Sequence, residues 1–307
     1  MPITTGNFAK ALYPGVNAWY GKAYSEYPIE FTELFEKFGT KRAWEEDVST
    51  SSFGLASQMS EGAGVLYDTE QQGFITRYTM VNYGLGFVIT KNMVDDDLYG
   101  VVGERKAKGL AFSIRQTKET LAANVYNRAF NTSYVGGDAS TLIASAGGGG
   151  SASHPNIAGG TWTNGPSAAV DLSEAALEQA VTDIAKFTND RGLKIAIKPQ
   201  KLIVPVDLWA EAEKIMKTQY EVGTANNTVN VVRSRFPMGT HVNHYLTDTD
   251  AWFIRTNAPH GMKYFERMAD TFSTDGDFDT DNAKFKALFR CAFGWSDPRQ
   301  LYGSPGA

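Results

Sequence analysis

Four aspartates alternate with other residues near the C-terminal end of the chain, in the segment DGDFDTD. They are Asp275, Asp277, Asp279 and Asp281. The spacing is typical of a calcium-binding loop, but Thr280 stands at the sixth position, which needs glycine, and Lys286 at the twelfth, which needs glutamate. In a strand, alternating residues face one side. The pattern therefore favours a solvated or salt-bridging acidic face, with calcium binding as the alternative.

Two histidines, His241 and His244, are spaced like neighbours on one face of a helix. The segment around them, MGTHVNHYLTD, has the composition of a strand, which would point the two rings to opposite faces. No cysteine or paired carboxylate accompanies them as a further metal ligand. A metal-dependent enzyme that uses both histidines and an aspartate remains an alternative, and we expect no metal.

Serine is frequent between residues 132 and 171, and His154 lies there in SASHPN. The segment has neither a GxSxG elbow nor a Ser-x-x-Lys pattern, so nothing indicates an activated serine. The run AGGGGSAS (146–153) lacks the Lys-Ser/Thr pair with which a phosphate loop contacts its nucleotide, and no GxGxxG follows a strand. We therefore expect neither an enzyme nor a cofactor.

Composition sets further limits. The chain has 307 residues, of which 42% are hydrophobic and 12% aromatic, as in a globular protein. Its net charge of -5 argues against a dedicated nucleic-acid binder but allows a local basic surface. Cys291 is the only cysteine, so no intrachain disulfide can form, and its apolar context predicts a buried thiol. No secretion signal or membrane-spanning stretch is present, which indicates a soluble protein made in the cytosol.

The elements that must position these residues begin with one long helix, predicted over Met93–Asn131. Asp95, Asp96 and Asp97 would cap its start. An apolar stripe follows, consisting of Leu110, Ile114, Leu121, Val125 and Ala129. The opposite face carries Arg105, Lys106, Lys108, Arg115, Lys118 and Arg128. Such a helix would be about 55 Å long, more than a compact domain needs. Gly100, Gly103 and Gly109 would bend or break its first half.

The segments before this helix do not look self-sufficient. Residues 1–52 contain many aromatic side chains but only one modest predicted helix, Ile29–Phe38, so we expect them to pack on their own domain or on a neighbouring subunit. Residues 53–91 alternate apolar and polar positions between glycines, which predicts a long β-hairpin. A two-stranded ribbon is marginal in water by itself and needs further contacts.

The remainder predicts an α/β arrangement. A long loop rich in Gly and Ser (132–171) is either functional or mobile. Asp171 or Ser173 caps a helix that runs to about Asn189. Next come a strand pair, LKIAIKP and KLIVPVD, and a short helix, Leu208–Thr218. The strand-like segments VNHYLT and AWFIRTN follow a polar loop, and two strands flank the acidic turn within Met262–Phe293. A tail broken by Gly and Pro ends the chain.

Three segments, in this order, carry a resemblance to a known family. They are YGLGFVITKNMVDDDLYG (83–100), IKPQKLIVPVDL (197–208) and DGDFDTDNAKFKALFRCAFGWSDPRQLYGS (275–304). The chain resembles the HK97-fold major capsid proteins of tailed bacteriophages, most closely the Mu-like major head subunit family. The resemblance implies an α+β chain with an N-terminal arm at 1–52, an E-loop β-hairpin at 53–92, a P-domain with the spine helix at 93–134 and 262–290, and an α/β A-domain at 135–261 and 291–307.

The same resemblance implies how copies assemble. Arm and E-loop would lie across adjacent subunits, A-domains would meet at the axes of hexamers and pentamers, and the loops 132–170 and 219–228 would take surface or axis-proximal positions. In the family's founding member an E-loop lysine links covalently to a neighbour's asparagine. Here the hairpin has no lysine between Phe53 and Thr90, and Lys91 lies at its base, so we expect a noncovalent shell.

The implied partners are further copies of the chain, a separate scaffolding protein, a portal, a possible decoration protein and packaged double-stranded DNA bound without specificity. The implied location is the virion, after assembly in the host cytoplasm, with no membrane. The candidate assembly contacts are Arg77, Arg105, Lys106, Arg115, Lys118, Asp275, Asp277 and Asp279. The basic helix face would contact DNA or pair with the acidic turn of another subunit. An encapsulin, which shares the fold but encloses protein cargo, is the nearest alternative.

Overall fold

The computed structural model describes residues 9–95, 102–220, 228–277 and 282–307. The chain divides into two compact units. The first unit comprises Met1–Trp44, Thr79–Ala122 and Tyr264–Phe293, and the second comprises Glu45–Tyr78, Ala123–Lys263 and Gly294–Ala307. None of the described helices is both long and apolar enough to cross a lipid bilayer.

The helices are α1 (Ala9–Glu26), α2 (Lys91–Asp95), α3 (Glu104–Asn127), α4 (Glu174–Ala185) and α5 (Trp209–Lys217), with short 3-10 helices at Phe31–Glu33 and Pro298–Gln300. The strands are β1 (Glu36–Gly39), β2 (Trp44–Thr50), β3 (Gln72–Thr79), β4 (Val81–Ile89), β5 (His154–Pro155), β6 (Thr161–Trp162), β7 (Pro199–Pro205), β8 (Thr240–Asn243), β9 (Trp252–Thr256), β10 (Met262–Gly276), β11 (Ala283–Trp295) and β12 (Leu301–Ser304). Helices and sheets thus occur together, as an α+β chain requires.

The first unit is built on a four-stranded sheet in the order β1-β10-β11-β4. Strand β11 pairs antiparallel with β4, from Ala283 opposite Ile89 to Cys291 opposite Val81. Every second residue of β11 from Ala283 to Cys291 is buried, so the strand has one core face and one outer face, as its alternating sequence requires. The prediction of two strands flanking the acidic turn is therefore confirmed.

The long helix is shorter than its sequence pattern predicts. Regular α3 begins at Glu104 and ends at Asn127, so its 24 residues span about 36 Å rather than 55 Å. Upstream, α2 ends at Asp95. Residues 96–101, which include Gly100 and two of the expected capping aspartates, lie outside the described residues. The predicted apolar stripe is buried at Leu110 and Ile114 and half-buried at Leu121 and Val125, and Ala129 is buried just beyond the end of α3.

The N-terminal segment contains a helix that the sequence analysis missed. Helix α1 covers Ala9–Glu26, whereas the predicted helix at Ile29–Phe38 is a 3-10 turn followed by β1. Tyr20, Ala23 and Tyr27 do follow a helical spacing, but Pro14 and the glycines of this stretch disfavour a helix and obscure the pattern. Phe31 of this segment packs within its own unit, where it meets the rings of Tyr264 and Phe293 edge-on at 5.1 and 5.6 Å.

The predicted hairpin over 53–91 is wrong in its pairing. Strand β3 pairs with β2, whereas β4 pairs with β11 in a different sheet, and only Met80 separates β3 from β4. Residues 53–71 form no strand. The alternating pattern identifies both strands correctly, but a pattern of period two does not specify which strand is the partner. The loop that reaches outward is therefore bounded by β2 and β3.

The second unit contains a mixed sheet in the order β12-β9-β7-β8. Strands β7 and β8 are parallel, and β9 is antiparallel to both β7 and β12. Trp252, Leu202 and Tyr302 form its core together with residues of α4 and α5 such as Leu177 and Ile215. Both predicted helices are confirmed, and the Ser173 hydroxyl caps α4 by accepting the Ala176 N–H. Of the predicted strand pair only β7 forms, and the tail contributes β12.

The Gly- and Ser-rich segment 132–171 is fixed by buried polar contacts, although little of it is regular structure. The Asn164 amide nitrogen donates to the carbonyl oxygens of Leu142, Pro298 and Leu301 at 2.8, 3.2 and 3.0 Å. Its side-chain oxygen accepts the Ala144 N–H at 2.8 Å. A single carboxamide thus joins this segment to the C-terminal tail. Since Leu142 and Ala144 are fully buried, the segment is not simply the surface loop that the resemblance implies.

His154 completes this polar cluster. Its Nδ1 lies 2.7 Å from the Asp138 carboxylate, and its Nε2 lies 3.2 Å from the Asn164 side-chain oxygen. Both ring nitrogens therefore lie within hydrogen-bond distance of an oxygen atom. Trp162 stacks on the imidazole at 4.6 Å, and the Arg299 guanidinium lies over Trp162 at 4.5 Å. The cluster has a structural role, because each polar group holds a backbone or ring in place.

Replacement of Asn164 by Ala tests this arrangement. We expect the Asn164→Ala variant to lose about 3 kcal/mol of unfolding free energy, since it leaves several buried backbone groups unpaired. Urea denaturation followed by tryptophan fluorescence measures the loss. The adjacent Thr163 is exposed, so Thr163→Ala serves as the control and should stay within about 0.5 kcal/mol of wild type. Equal stability of the two variants would contradict the role given to Asn164.

Candidate assembly surfaces

Two of the basic residues expected on the exposed side of the long helix are buried. The Lys118 ammonium forms an ion pair with Asp270 of β10 at 2.7 Å, and only 4% of the Lys118 side chain is exposed. The Tyr24 hydroxyl donates to the same carboxylate. The Arg115 guanidinium lies 3.9 Å from the centre of the Tyr24 ring and donates to the Tyr24 carbonyl at 3.0 Å. Arg115 and Lys118, two of the candidate assembly contacts, are therefore buried and have their contacts inside the first unit.

The physical reason is that α1 covers this side of α3. Helical periodicity separates polar from apolar positions, but it does not show whether a second element supplies counter-charges for the polar side. Here Asp270 and the Tyr24 ring compensate the two cations, since an unpaired buried charge would be costly. Lys118 also lies 4.9 Å from the Phe289 ring.

Glu119 fixes the entry to the 3-10 helix of the N-terminal segment. Its two carboxylate oxygens accept the backbone N–H groups of Glu30 and Phe31 at 3.0 and 2.9 Å. Burial raises the pKa of Glu119 above its usual value, although these two hydrogen bonds act in the opposite direction. One turn of α3, from Arg115 to Glu119, thus holds both α1 and the segment that follows it. The sequence signal for this contact would have been the cluster of charges at 115, 118 and 119.

Cys291 lies in the same core, as its sequence context predicts. Its thiol is buried, and burial raises its pKa to about 12. The sulfur therefore stays protonated at neutral pH, which makes it a poor nucleophile. The prediction of a buried thiol is confirmed.

The other basic candidates do lie at the surface. Arg105, Lys106 and Lys108 are exposed near the start of α3, and Lys108 pairs with Glu104 one turn away at 2.7 Å. Arg77 is exposed on β3, with its Nε 3.9 Å from the Glu46 carboxylate of the neighbouring strand. The structure leaves Arg105 and Lys106 facing solvent, where contacts with another molecule can form.

The acidic turn is only partly within the described residues. Asp275 is exposed, and Asp277 pairs with Lys284 across the turn at 2.8 Å. Asp279 and Asp281 lie outside the described residues. In the parts of the chain that the structure describes, no group of three His, Cys, Asp or Glu side chains is placed to hold a metal ion. His241 lies in β8 and His244 follows the strand, as the strand-like composition predicts.

The most exposed apolar side chains of the described residues belong to one loop, residues 51–71, called here the apolar loop. Tyr67 is 94% exposed and Leu55 is 82% exposed. Other large apolar side chains of the loop that contact mainly solvent are Phe53, Met59, Val65 and Leu66. Large exposed apolar patches on soluble proteins commonly mark interaction sites.

Comparison with known proteins assigns this architecture. The chain matches the capsid of a native GTA particle with a TM-score of 0.54 over 91% of this chain and 90% of that chain, at 11% identity. It matches a Microbacterium phage Oxtober96 structure with a TM-score of 0.53, 8% identity and coverage of 91% and 90%. A virus-like particle from Pyrococcus furiosus gives a TM-score of 0.51, 12% identity and coverage of 94% and 97%. The fold is therefore the HK97 capsid fold.

The family follows from the sequence match. Residues 74–304 match the family model described as phage capsid protein, so the chain belongs to the phage capsid protein family. It is a structural shell protein and not an enzyme. No curated protein matches the chain at a significant level.

The buried ion pair under α1 can be tested by removing its cation. We expect Lys118→Met to lower the unfolding free energy by about 2–4 kcal/mol, because it leaves the largely buried Asp270 carboxylate without its Lys118 partner. Lys106→Met makes the same chemical change at an exposed position of the same helix and should alter stability by less than about 0.5 kcal/mol. Chemical denaturation of both variants decides the point, and a Lys118→Met protein as stable as wild type would refute it.

Proposed function

We propose that many copies of this chain assemble, as hexamers and pentamers, into a closed icosahedral head that encloses the double-stranded DNA of a tailed phage. Membership of the phage capsid protein family carries this proposal. The Mu-like major head subunit family is the proposed subgroup, on the three sequence segments that resemble it. The virion is the proposed location, after assembly in the host cytoplasm.

The apolar loop supports assembly through contacts between copies. Its Leu, Val, Met, Phe and Tyr side chains are exposed in the single chain, whereas the rest of the second unit has an ordinary buried core. Burying apolar surface contributes roughly 25 cal/mol per Å². A shell in which each loop covers a neighbouring copy gains this free energy once per subunit, and rotational symmetry limits growth to closed rings and shells.

DNA would be held by weak, non-specific contacts. Arg105 and Lys106 provide exposed positive charge on α3, while the net charge of -5 excludes a strong general affinity for nucleic acid. Contacts with phosphates through such residues carry no sequence information and weaken with added salt. A separate scaffolding protein, a portal and a decoration protein complete the proposed set of partners.

Substitutions in the apolar loop test the assembly role. We expect the Leu66→Ser/Tyr67→Ser double variant to form far fewer shells, since it removes exposed apolar surface that only another copy would bury. Its thermal stability as a single chain should not change, because neither side chain is buried there. Electron microscopy and light scattering after coexpression with neighbouring phage genes provide the measurement. Gln58→Ser/Glu61→Ser, which replaces two exposed polar residues of the same loop, is the control.

Two outcomes bear on the proposal as a whole. Wild-type protein that remains a monomer of 33.6 kDa under these conditions would overturn it. Shells that contain a protein cargo and no nuclease-protected DNA would favour the encapsulin alternative.

A noncovalent shell is the second expectation under test. Because residues 53–90 contain no lysine, the loop cannot form the lysine–asparagine link of the family's founding member. Mature particles boiled in SDS should therefore run as a single band at the mass of one chain. A ladder of covalent multimers would contradict the prediction.

A further inference from the structure

The apolar loop is closed at its neck by two reciprocal hydrogen bonds. The Ser51 N–H donates to the Gln71 carbonyl at 3.0 Å, and the Gln71 N–H donates to the Ser51 hydroxyl at 2.9 Å. Ser51 is buried, unlike the rest of the loop. Ser52 has a φ of 52°, in the left-handed region, so the chain turns sharply as it leaves the neck. These contacts close the loop but do not determine where its apolar part points.

A second set of contacts lies just beyond the neck and centres on Asp68. The carboxylate accepts the N–H of Gly54 at 2.7 Å and the N–H of Thr69 at 2.8 Å. Asp68 therefore links the segment that leaves the neck, at Gly54, to the segment that returns to it, at Thr69. These two backbone hydrogen bonds and the neighbouring guanidinium of Arg191 hold the pKa of Asp68 below its usual range.

Arg191 attaches this bridge to the body of the second unit. Its Nη1 lies 2.7 and 3.0 Å from the two Asp68 carboxylate oxygens, and its Nη2 donates to the Thr69 carbonyl. Arg191 itself is on a tight turn, where the Asn189 side chain accepts the N–H groups of Arg191 and Leu193 at 3.0 and 2.8 Å. The guanidinium is therefore presented from a fixed backbone.

The backbone at Gly54 lies close to the Asp68–Arg191 ion pair. A Cβ atom added at Gly54 would lie 3.3 Å from both Arg191 Nη1 and Asp68 Oδ2, closer than ordinary van der Waals contact. The absence of a side chain at position 54 lets the backbone approach the carboxylate. The forked, charge-assisted contact of Arg191 thus holds Asp68 and Thr69 on the returning segment of the loop, and Asp68 links them to Gly54 on the outgoing segment. Such a contact fixes orientation better than a single ion pair does.

We propose that Asp68 and Arg191 form a positioning pair that sets the direction in which the apolar loop leaves its own subunit, and that the loop docks in this direction on a second copy of the chain. The proposal rests on the assembly role given to the loop above. An exposed ion pair adds little to fold stability. Its effect lies in assembly, because a loop already held in its docking direction loses less conformational freedom on binding.

The experiment uses the full chain and the variants Arg191→Gln and Asp68→Asn, with Lys198→Gln as the control. Lys198 is an exposed cation of the same unit, so its variant matches the loss of charge. Chymotrypsin cleavage after Leu66 or Tyr67 in the unassembled protein reports loop freedom. Light scattering during assembly reports the rate of shell formation, and thermal denaturation reports the fold.

We expect both pair variants to be cleaved at least fivefold faster and to assemble at least fivefold more slowly, with unchanged thermal stability. Lys198→Gln should behave as wild type. The charge exchange Asp68→Arg/Arg191→Asp should recover part of the protease resistance but not the backbone bridge from position 68. Cleavage rates equal to wild type would contradict the claim that Asp68 and Arg191 restrain the loop. Faster cleavage with an unchanged assembly rate would contradict the claim that the pair positions the loop for assembly.

The two proposals fail in different ways. If wild-type protein does not assemble, the proposed shell function fails, while the cleavage rates still report whether the pair holds the loop. If wild type assembles and the pair variants assemble equally fast, the shell function stands and the positioning role fails.

Discussion

The ion pair between Lys118 on α3 and Asp270 on β10 joins the elements of the first unit. A buried cation on a helix requires a counter-charge close by, and Asp270 supplies it from the sheet. The Tyr24 hydroxyl shares the carboxylate, so α1 is held by the same charges. Arg115 extends the contact by stacking on the Tyr24 ring. Helix, sheet and N-terminal segment therefore meet at one set of charged and aromatic side chains.

The second unit contains a long segment with little regular structure, residues 132–171, which side-chain hydrogen bonds hold in place. Backbone groups of residues 132–171 that enter the core need partners, and a helix or strand does not provide most of them. The Asn164 carboxamide pairs with backbone groups from two separate places in the chain, 142–144 and 298–301. The Arg191 turn and the neck of the apolar loop belong to the same compact unit.

The apolar surface that these two units leave exposed is the part of the structure that bears on assembly. The large apolar side chains of the two cores are buried, whereas those of the apolar loop are exposed to solvent in the single chain. A capsid subunit must avoid collapse of such a loop onto its own core, and it must also avoid uncontrolled aggregation. A short polar neck with a charged anchor meets both requirements, because it separates the apolar residues from the core and limits the directions they can take.

Sequence patterns alone determined the elements whose stability is local. The period of β11, the Ser173 cap of α4 and the central stripe of α3 all follow from neighbouring residues. The family resemblance also rested on sequence, and the family match bears out its capsid part. The partners of strands and of charged side chains did not follow from local sequence. The pairing of β4 with β11, the contact of α1 with α3 through Tyr24, and the burial of Arg115 and Lys118 depend on residues more than 80 positions away.

Asp68 and Arg191 illustrate the same limit, since 123 positions separate them in the chain. Each residue alone has the appearance of an ordinary surface charge. Local sequence specifies which segments are helix, strand or turn, because those preferences arise from adjacent backbone and side-chain groups. Only the tertiary structure decides which charges meet, because the free energy of an ion pair depends on a distance and a burial that distant parts of the chain create together.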